Sequence, residues 1–334
     1  MQFGVFDHVD RGAEPLHEYY ENRFKLIEEY DRLGFYSYHI AEHHFTPLGM
    51  APSPSVYLAS VAQRSKRLRF GPLVYIVPLY HPLRLVEEIC MLDQMSCGRL
   101  DLGLGRGVSP KEFDFFAECF DDAPNMYTEG MDVILKSLTN ERLDYHGEFY
   151  KFRGVPPFEI ECYQKPHPPL WYGAHSPDSA ARAGHRGLNF VSTDPAPRIR
   201  ELTDAFTTAW RASHGDKAIP KMGVMRFIVV AETDQEAQRI ARRAYKKWYR
   251  AFDYLISPYG IFNPNPRPPE WDDVPKVSMG IAGSPDTVAA FVTAQIRQTG
   301  ANYFVSQFAF GDITLDEALK SVNLFATRVV PAVT

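Results

Sequence analysis

The sequence predicts an α/β fold, a (β/α)8 TIM barrel with insertions, built as one domain over residues 1–334. Three observations lead there. Short apolar runs alternate with amphipathic stretches eight times along the chain, the pattern of a parallel sheet covered on its outside by helices. Polar and glycine-rich residues gather directly after the apolar runs, where a parallel barrel opens its working face. The glycine cluster Gly103-Leu104-Gly105-Arg106-Gly107 follows the fourth run and has Val108 where a dinucleotide fingerprint needs its third glycine. This disfavours the competing doubly wound sheet with a nicotinamide site.

Taken in order, Phe3 to Phe6 reads as the first strand and hands Asp7 and His8 to its C-terminal end. Glu18 to Leu33 sets Phe24, Ile27, Tyr30 and Leu33 on one helical face, and Gly34 stops it. Phe35 to Ile40 is the second strand, and Ser53-Pro54 caps a helix carried by Ser55 to Ala62. Strand three is expected as one long run, Leu68 to Val77. The helix after it, Leu83 to Met95, is apolar over more of its circumference than one core contact requires, which points to a second packed surface on another subunit. Arg99 to Leu104 is the fourth strand. Helical segments at Lys111 to Phe120 and Met126 to Leu138 and a hairpin around Tyr145 to Phe152 interrupt the alternation. Leu170 to Gly173, Leu188 to Ser192 and Met222 to Ala231 are strands five to seven. Ser176-Pro177-Asp178-Ser179 starts one helix, Ile199 to Ala212 forms the next, and Asp234 caps a long one ending near Phe252. Ser257 to Val277 is proline-rich and aperiodic, an excursion or lid. Ser284-Pro285 opens another helix, Ala301 to Phe310 is strand eight, and Thr314-x-x-Glu317 is a capping box for the last helix.

A formal charge of -5 and a pI near 6.1 leave no concentrated basic face, which excludes nucleic acid and anionic membrane as main partners. Cys90, Cys97, Cys119 and Cys162 form no C-x-x-C pair and read as reduced thiols. The first residues lack a basic and long apolar leader, and no later run is long enough to span a bilayer, so a soluble, cytoplasmic protein is expected.

Chemistry is expected first at Ala41-Glu42-His43-His44-Phe45, where the second strand gives out. A carboxylate and two imidazoles are costly to bury without partners and so belong at a cavity. Adjacent side chains of an extended segment diverge, so at most one histidine faces the chemistry, and neighbours of this kind do not offer two ligands to one metal ion. Hydrogen-bonded imidazoles at a strand end are the plainer alternative. Arg106 after two glycines suits either a phosphate fork or a surface ion pair. Gly173-Ala174-His175-Ser176-Pro177-Asp178-Ser179 places free N–H groups and two hydroxyls at a helix start, which suits either a phosphate seat or plain capping. His81, held extended before Pro82, brings another imidazole toward the same rim.

Together these stretches resemble the bacterial luciferase-like, flavin-dependent monooxygenases, close to the luciferase α-subunit pattern. The matches run in order from Phe3-Gly4-x-Phe6, through Glu42-His43-His44-Phe45-Thr46 and His81-Pro82-Leu83-Arg84, to Leu92-Asp93-Gln94-Met95-Ser96-x-Gly98-Arg99. The resemblance implies a barrel that takes reduced FMN as co-substrate from a separate NAD(P)H:flavin reductase. Such a barrel adds O2 at flavin C4a and, through the C4a-(hydro)peroxyflavin, oxygenates a small organic molecule. It also implies that His43 is the catalytic histidine, that Glu42 lies at the cofactor, and that Arg106 contacts the phosphate with the Gly173, Ala174, His175, Ser176 and Ser179 turn. A cis Leu73–Val74 peptide under the flavin ring and a homodimer through the helices near 54–64 and 83–95 complete the expectation. The pattern departs from the luciferases at Gly105, which replaces a thiol, at His175, which replaces a glutamate, and at Pro124 to Met126, which lacks an arginine. The lid also differs, and these departures point away from light emission and a long-chain aldehyde. Alternatives are an F420-dependent dehydrogenase on the same fold, a flavin-binding protein without turnover, and a metal-dependent barrel hydrolase, for which the first strand supplies few ligands.

Overall fold

The computed structural model describes residues 1–139, 142–263 and 266–333. Its first half runs β1 (Gln2–Asp7), α1 (Leu16–Leu33), β2 (Ser37–Ile40), α2 (Pro54–Arg64), β3 (Arg69–Pro72), β4 (Tyr75–Ile76), α3 (Pro82–Met95), β5 (Leu102–Gly105), α4 (Pro110–Phe115) and α5 (Ala123–Leu138). A hairpin of β6 (Leu143–His146) and β7 (Lys151–Val155) intervenes. The chain continues through β8 (Leu170–Gly173), α6 (Pro177–Arg186), β9 (Asn189–Ser192), α7 (Ala196–His214), β10 (Met222–Val230) and α8 (Asp234–Asp253), then β11 (Gly280–Gly283), α9 (Pro285–Thr299), β12 (Tyr303–Gln307) and α10 (Leu315–Leu324).

The sheet order is β3-β2-β1-β12-β10-β9-β8-β5-β4. The strand pairs along it are parallel, and a bridge between Phe70 and Leu100 ties β3 back to the entry of β5, so the barrel is nearly closed. Phe6, Ala41, Trp171, Val191, Met225, Tyr303 and Val305 fill its interior, with Leu73 packed against them. A much larger cluster, including Leu26, Tyr38, Ile89, Phe190 and Phe304, seals the sheet to the outer helices. Each such side chain contributes roughly 1.5–3 kcal/mol on leaving water. The α1 helix shows how that seal is made: Tyr19, Leu26, Ile27 and Tyr30 are buried, and Gly34 ends it in the left-handed conformation at φ 81°.

The structure differs from the expected elements at several points. The run Leu68 to Val77 is two strands, β3 and β4, which stop on either side of Leu73 and Val74, and the peptide between these two residues is cis. The cis bond itself is one that the resemblance implies. Thr233, not Asp234, caps α8 by accepting from the Glu236 N–H. The Asp234 carboxylate accepts from Ser284 N–H at 2.6 Å and so serves the start of α9. Ser53 sits at the cap of α2 without a capping bond. The strand β11 was not anticipated; it pairs with the second half of β10 in register Phe227 with Gly280 to Val230 with Gly283. The expected lid, residues 257–277, contains short 3-10 turns at Ser257–Tyr259 and Trp271–Asp273, and residues 264 and 265 of it lie outside the described residues. Among the described residues no helix is long and apolar enough to cross a membrane.

Candidate active site

Parallel strands share one direction, so the residues that follow β1, β2, β3, β5, β8 and β9 emerge at one rim of the barrel. Two adjoining cavities open there, a larger one of about 760 Å³ and a smaller one of about 240 Å³. Phe6, His43, Leu73, Glu112, Gly173 and His175 line both. Gly173 keeps the shared wall open, since a Cβ there would meet no atom within 4 Å. At Gly105 the space is taken instead: a Cβ would lie 2.2 Å from Val74 Cγ2, so the glycine lets Val74 pack against β5.

The adjacent histidines diverge. His44 turns away from both cavities, donates or accepts through Nε2 with Glu42 Oε1 at 2.8 Å, and packs its ring 4.7 Å from Phe116. His43 lines both cavities, with Nδ1 3.3 Å from Glu112 Oε1. Glu112 Oε1 also accepts the His44 N–H at 2.7 Å, and Oε2 is buried without a partner among the described residues. Burial alone would lower the pKa of His43, but the adjacent Glu112 charge and hydrogen bond, with a smaller share from Glu42, outweigh it and the net shift is upward. His8 stacks 6.0 Å from His43, and burial, His43 and Arg267 together push its pKa well down. Its Nδ1 lies 3.0 Å from Gln307 Nε2 and accepts from Trp248 at 3.4 Å, so His8 is neutral.

Glu42 lines the larger cavity, but its oxygens are engaged by His44 and by the Ile76 N–H at 3.0 Å, and burial raises its pKa despite them. Leu73 and Val74 form part of the cavity wall, as do Arg106, Gly173, His175, Ser176 and Ser179. Ala174 does not: it is buried in the core and gives its N–H to Val191 at 3.2 Å. The two serines close a capping box on each other. Ser176 Oγ accepts from Ser179 N–H at 3.2 Å, and Ser179 Oγ accepts from Ser176 N–H at 3.1 Å, so the N–H groups expected to be free at these positions are satisfied. His175 Nδ1 lies 2.9 Å from Asp194 Oδ2. Burial opposes ionisation of Asp194, yet His175, Ser192 and Arg267 hold its carboxyl below the usual range. His81 never reaches the rim; it is exposed, with its ring against Phe152 of the hairpin.

Positive charge at the larger cavity comes from Arg106, Arg182 and Arg186, none of which has an ion pair or hydrogen bond among the described residues. Arg182 and Arg186 follow Ser179 at i+3 and i+7 and therefore share its helical face. A ligand with an anionic end and an apolar body fits this space: guanidinium groups fork onto phosphate, and Phe6, Leu73, Val74 and Ile76 supply apolar surface in the same cavity. Among the described residues no three His, Cys, Asp or Glu groups are arranged to hold a metal ion.

A family profile described as luciferase-like monooxygenase matches residues 1–303. The chain belongs to that family. Within and around the luciferase-like monooxygenases, it is 38% identical to an uncharacterized protein, y4wF, of Sinorhizobium fredii over 100% of this chain and 97% of the relative. It is 27% identical to the oxygenase component of a flavin-dependent trigonelline monooxygenase of Acinetobacter baylyi, covering 75% of this chain and 71% of that one. The crystal structure of monooxygenase RslO1 from Streptomyces bottropensis superposes with a TM-score of 0.90 at 26% identity, covering 100% of both chains. Membership in this family supports an oxidoreductase of the flavin-dependent monooxygenase type.

Glu112, Arg182 and Arg186 were not anticipated from the sequence. Glu112 stands in Ser109-Pro110-Lys111-Glu112, whose spacing reads as a capping box, and only half of that box forms: Ser109 Oγ accepts from Glu112 N–H at 3.4 Å while the carboxylate goes to the histidines. The arginines were legible in principle, because residues at i, i+3 and i+7 from Ser179 share whatever Ser179 faces.

Proposed function

We propose that this chain is the oxygenase of a two-component system that takes reduced FMN from a separate NAD(P)H:flavin reductase and uses O2 to oxygenate a small organic substrate. The observation that carries the reading is one cavity of about 760 Å³ lined both by three unpaired arginines and by the His43–Glu112 pair. Bound reduced flavin would supply the electrons that activate O2. Arg106, Arg182 and Arg186 bind the phosphate, and Leu73 and Val74 orient the ring. Glu112 fixes the Nδ1–H tautomer of His43, leaving Nε2 to hold or pass a proton, and its charge keeps that proton available near neutral pH. Leu255, Ile256 and Ile261 line the smaller cavity and exclude water from the shared space. A homodimer through the helices near 54–64 and 83–95 belongs to the same reading. It is supported by Val56, Met91 and Met95, which are 72%, 50% and 43% exposed.

The test mixes anaerobic protein and photoreduced FMN with oxygenated buffer. The protein should delay the return of oxidised-flavin absorbance relative to free FMN, and His43→Ala should bind FMN yet lose product. Unchanged turnover in His43→Ala removes His43 from the mechanism. Reduction of F420 by a substrate, with no oxygen uptake, replaces the whole reading by a dehydrogenase.

A further inference from the structure

The smaller cavity is apolar over much of its wall, with Leu48, Met225, Phe252, Leu255 and Ile261 beside Leu73. Among the described residues one arginine enters it. Arg267 places its guanidinium 6.0 Å from the Phe252 ring centroid, donates through Nη2 to the Thr193 hydroxyl, and points Nη1 at Met279 Sδ at 3.9 Å. Among the described residues no carboxylate lies within ion-pair distance of it. Asp194, whose charge it feels, already meets His175 at 2.9 Å and Ser192 at 2.6 Å. A guanidinium carries five N–H donors, and a thioether is a weak acceptor for one of them. Among the described residues the remaining donors find no acceptor.

Arg267 is half-buried, so its free donors stay open to the cavity, and an anion that enters between them and the apolar wall gains charge-assisted hydrogen bonds. Burial weakens the hold of Arg267 on its proton, but a guanidinium stays charged regardless. Its field also depresses the proton affinity of buried His8 and Arg226, so the positive potential in this corner is not cancelled locally. Arg267 does not line the larger cavity, where Arg106, Arg182 and Arg186 already serve an anion. An anion that pairs with it would therefore enter the smaller cavity, beside the His43 and Glu112 wall that the two spaces share.

We propose that Arg267 is the substrate-orienting residue and that the substrate is a compact apolar molecule carrying one carboxylate. The carboxylate forks onto the guanidinium, and the apolar body fills the cavity next to His43. This rests on the oxygenase reading above.

The test separates the two. Full-length wild type, Arg267→Gln and Arg267→Lys, each with bound FMN, are titrated with matched neutral and anionic probes: benzoate against benzamide, and cyclohexanecarboxylate against cyclohexanecarboxamide. Binding is followed by the flavin spectrum and by thermal shift. Wild type should prefer at least one carboxylate over its amide by about tenfold or more, Arg267→Gln should lose that preference, and Arg267→Lys should keep part of it. FMN affinity should be the same in all three. Equal binding of acid and amide to wild type, or an undiminished preference in Arg267→Gln, overturns the proposal. Failure of wild type to bind FMN overturns the oxygenase reading instead, and the probe pairs then still report on Arg267 by thermal shift alone.

Discussion

Replacing Glu112 by Gln tests the electrostatics of the site with little change of shape. The carboxylate is 1% exposed and stands 3.3 Å from His43 Nδ1. At an effective dielectric of about 20, unit charges at that separation attract by ~5 kcal/mol, an upper figure from which the burial of the imidazolium subtracts. The amide retains an acceptor for the His44 N–H, now at 2.7 Å, so the backbone there should hold. If half of the attraction serves proton exchange at Nε2, turnover at neutral pH should fall by roughly 10–100-fold at ~1.4 kcal/mol per decade. Arg106 and its neighbours are untouched, so FMN affinity should not change.

The sign of the pH effect follows from the upward shift of His43. A base whose folded pKa exceeds its unfolded value, about 6.5, adds stability that is complete below that value and is lost as pH rises through the folded one. Wild type should therefore exceed Glu112→Gln in melting temperature by most at about pH 6 and by progressively less as pH rises above the unfolded value. Turnover measured over the same range should show the protonated-histidine limb moved to lower pH in the variant. Superimposable pH–rate profiles, or a melting-temperature gap that grows with pH, would refute the pairing as the cause.

Three further outcomes are expected. Arg106→Ala, Arg182→Ala and Arg186→Ala should each weaken FMN by about tenfold in ultrafiltration assays while leaving riboflavin, which has no phosphate, unchanged; an equal loss for both ligands would show a packing role instead. Gly105→Ala should lower stability by ~1–3 kcal/mol in urea titrations, because its methyl would sit 2.2 Å from Val74 Cγ2 and force that side chain toward the cavity. Asp10→Asn probes a group outside the site. Burial, with help from Asp7 and against Arg23 and the Gly311 N–H, raises the Asp10 carboxyl to about 7. An acid with a raised folded pKa costs stability as pH climbs from its unfolded value to its folded one, here about 4 kcal/mol in total. The margin of Asp10→Asn over wild type should grow from about pH 4 to about pH 7 and then level off, and a margin independent of pH would contradict it.

Strands with nearly continuous apolar runs, such as Phe3 to Phe6 and Met222 to Ala231, which Arg226 interrupts, were legible because a strand buried on both faces needs little else. Gly280-Ile281-Ala282-Gly283 was not, since two glycines and an alanine carry no strand preference and only pairing with β10 makes it one. The break at Leu73–Val74 was equally hidden from periodicity, because the run reads apolar straight through it; only the family pattern marked it. At the site, the histidines stood out because two imidazoles after a strand are hard to bury. Glu112 did not, because its sequence neighbours supply a complete local explanation, and tertiary contacts from 69 residues away override it.

The arginines carry the same lesson further. A net charge of -5 argues against a nucleic-acid partner, but it averages over a surface on which many basic side chains are paired, as Arg64 is with Glu21 and Glu28, and Arg243 with Asp312 and Glu317. Charge that is spent on a neighbour attracts no ligand; charge that is left over does. Among the described residues Arg106, Arg182 and Arg186 at one cavity and Arg267 at the next are left over, and the two positive ends beside the His43–Glu112 pair can each receive an anion. In the proposed function a single flavin phosphate would account for the first end alone. The second end is therefore the feature that should distinguish this chain's substrate from a neutral aldehyde or ketone, and the acid and amide probe pairs measure that distinction directly.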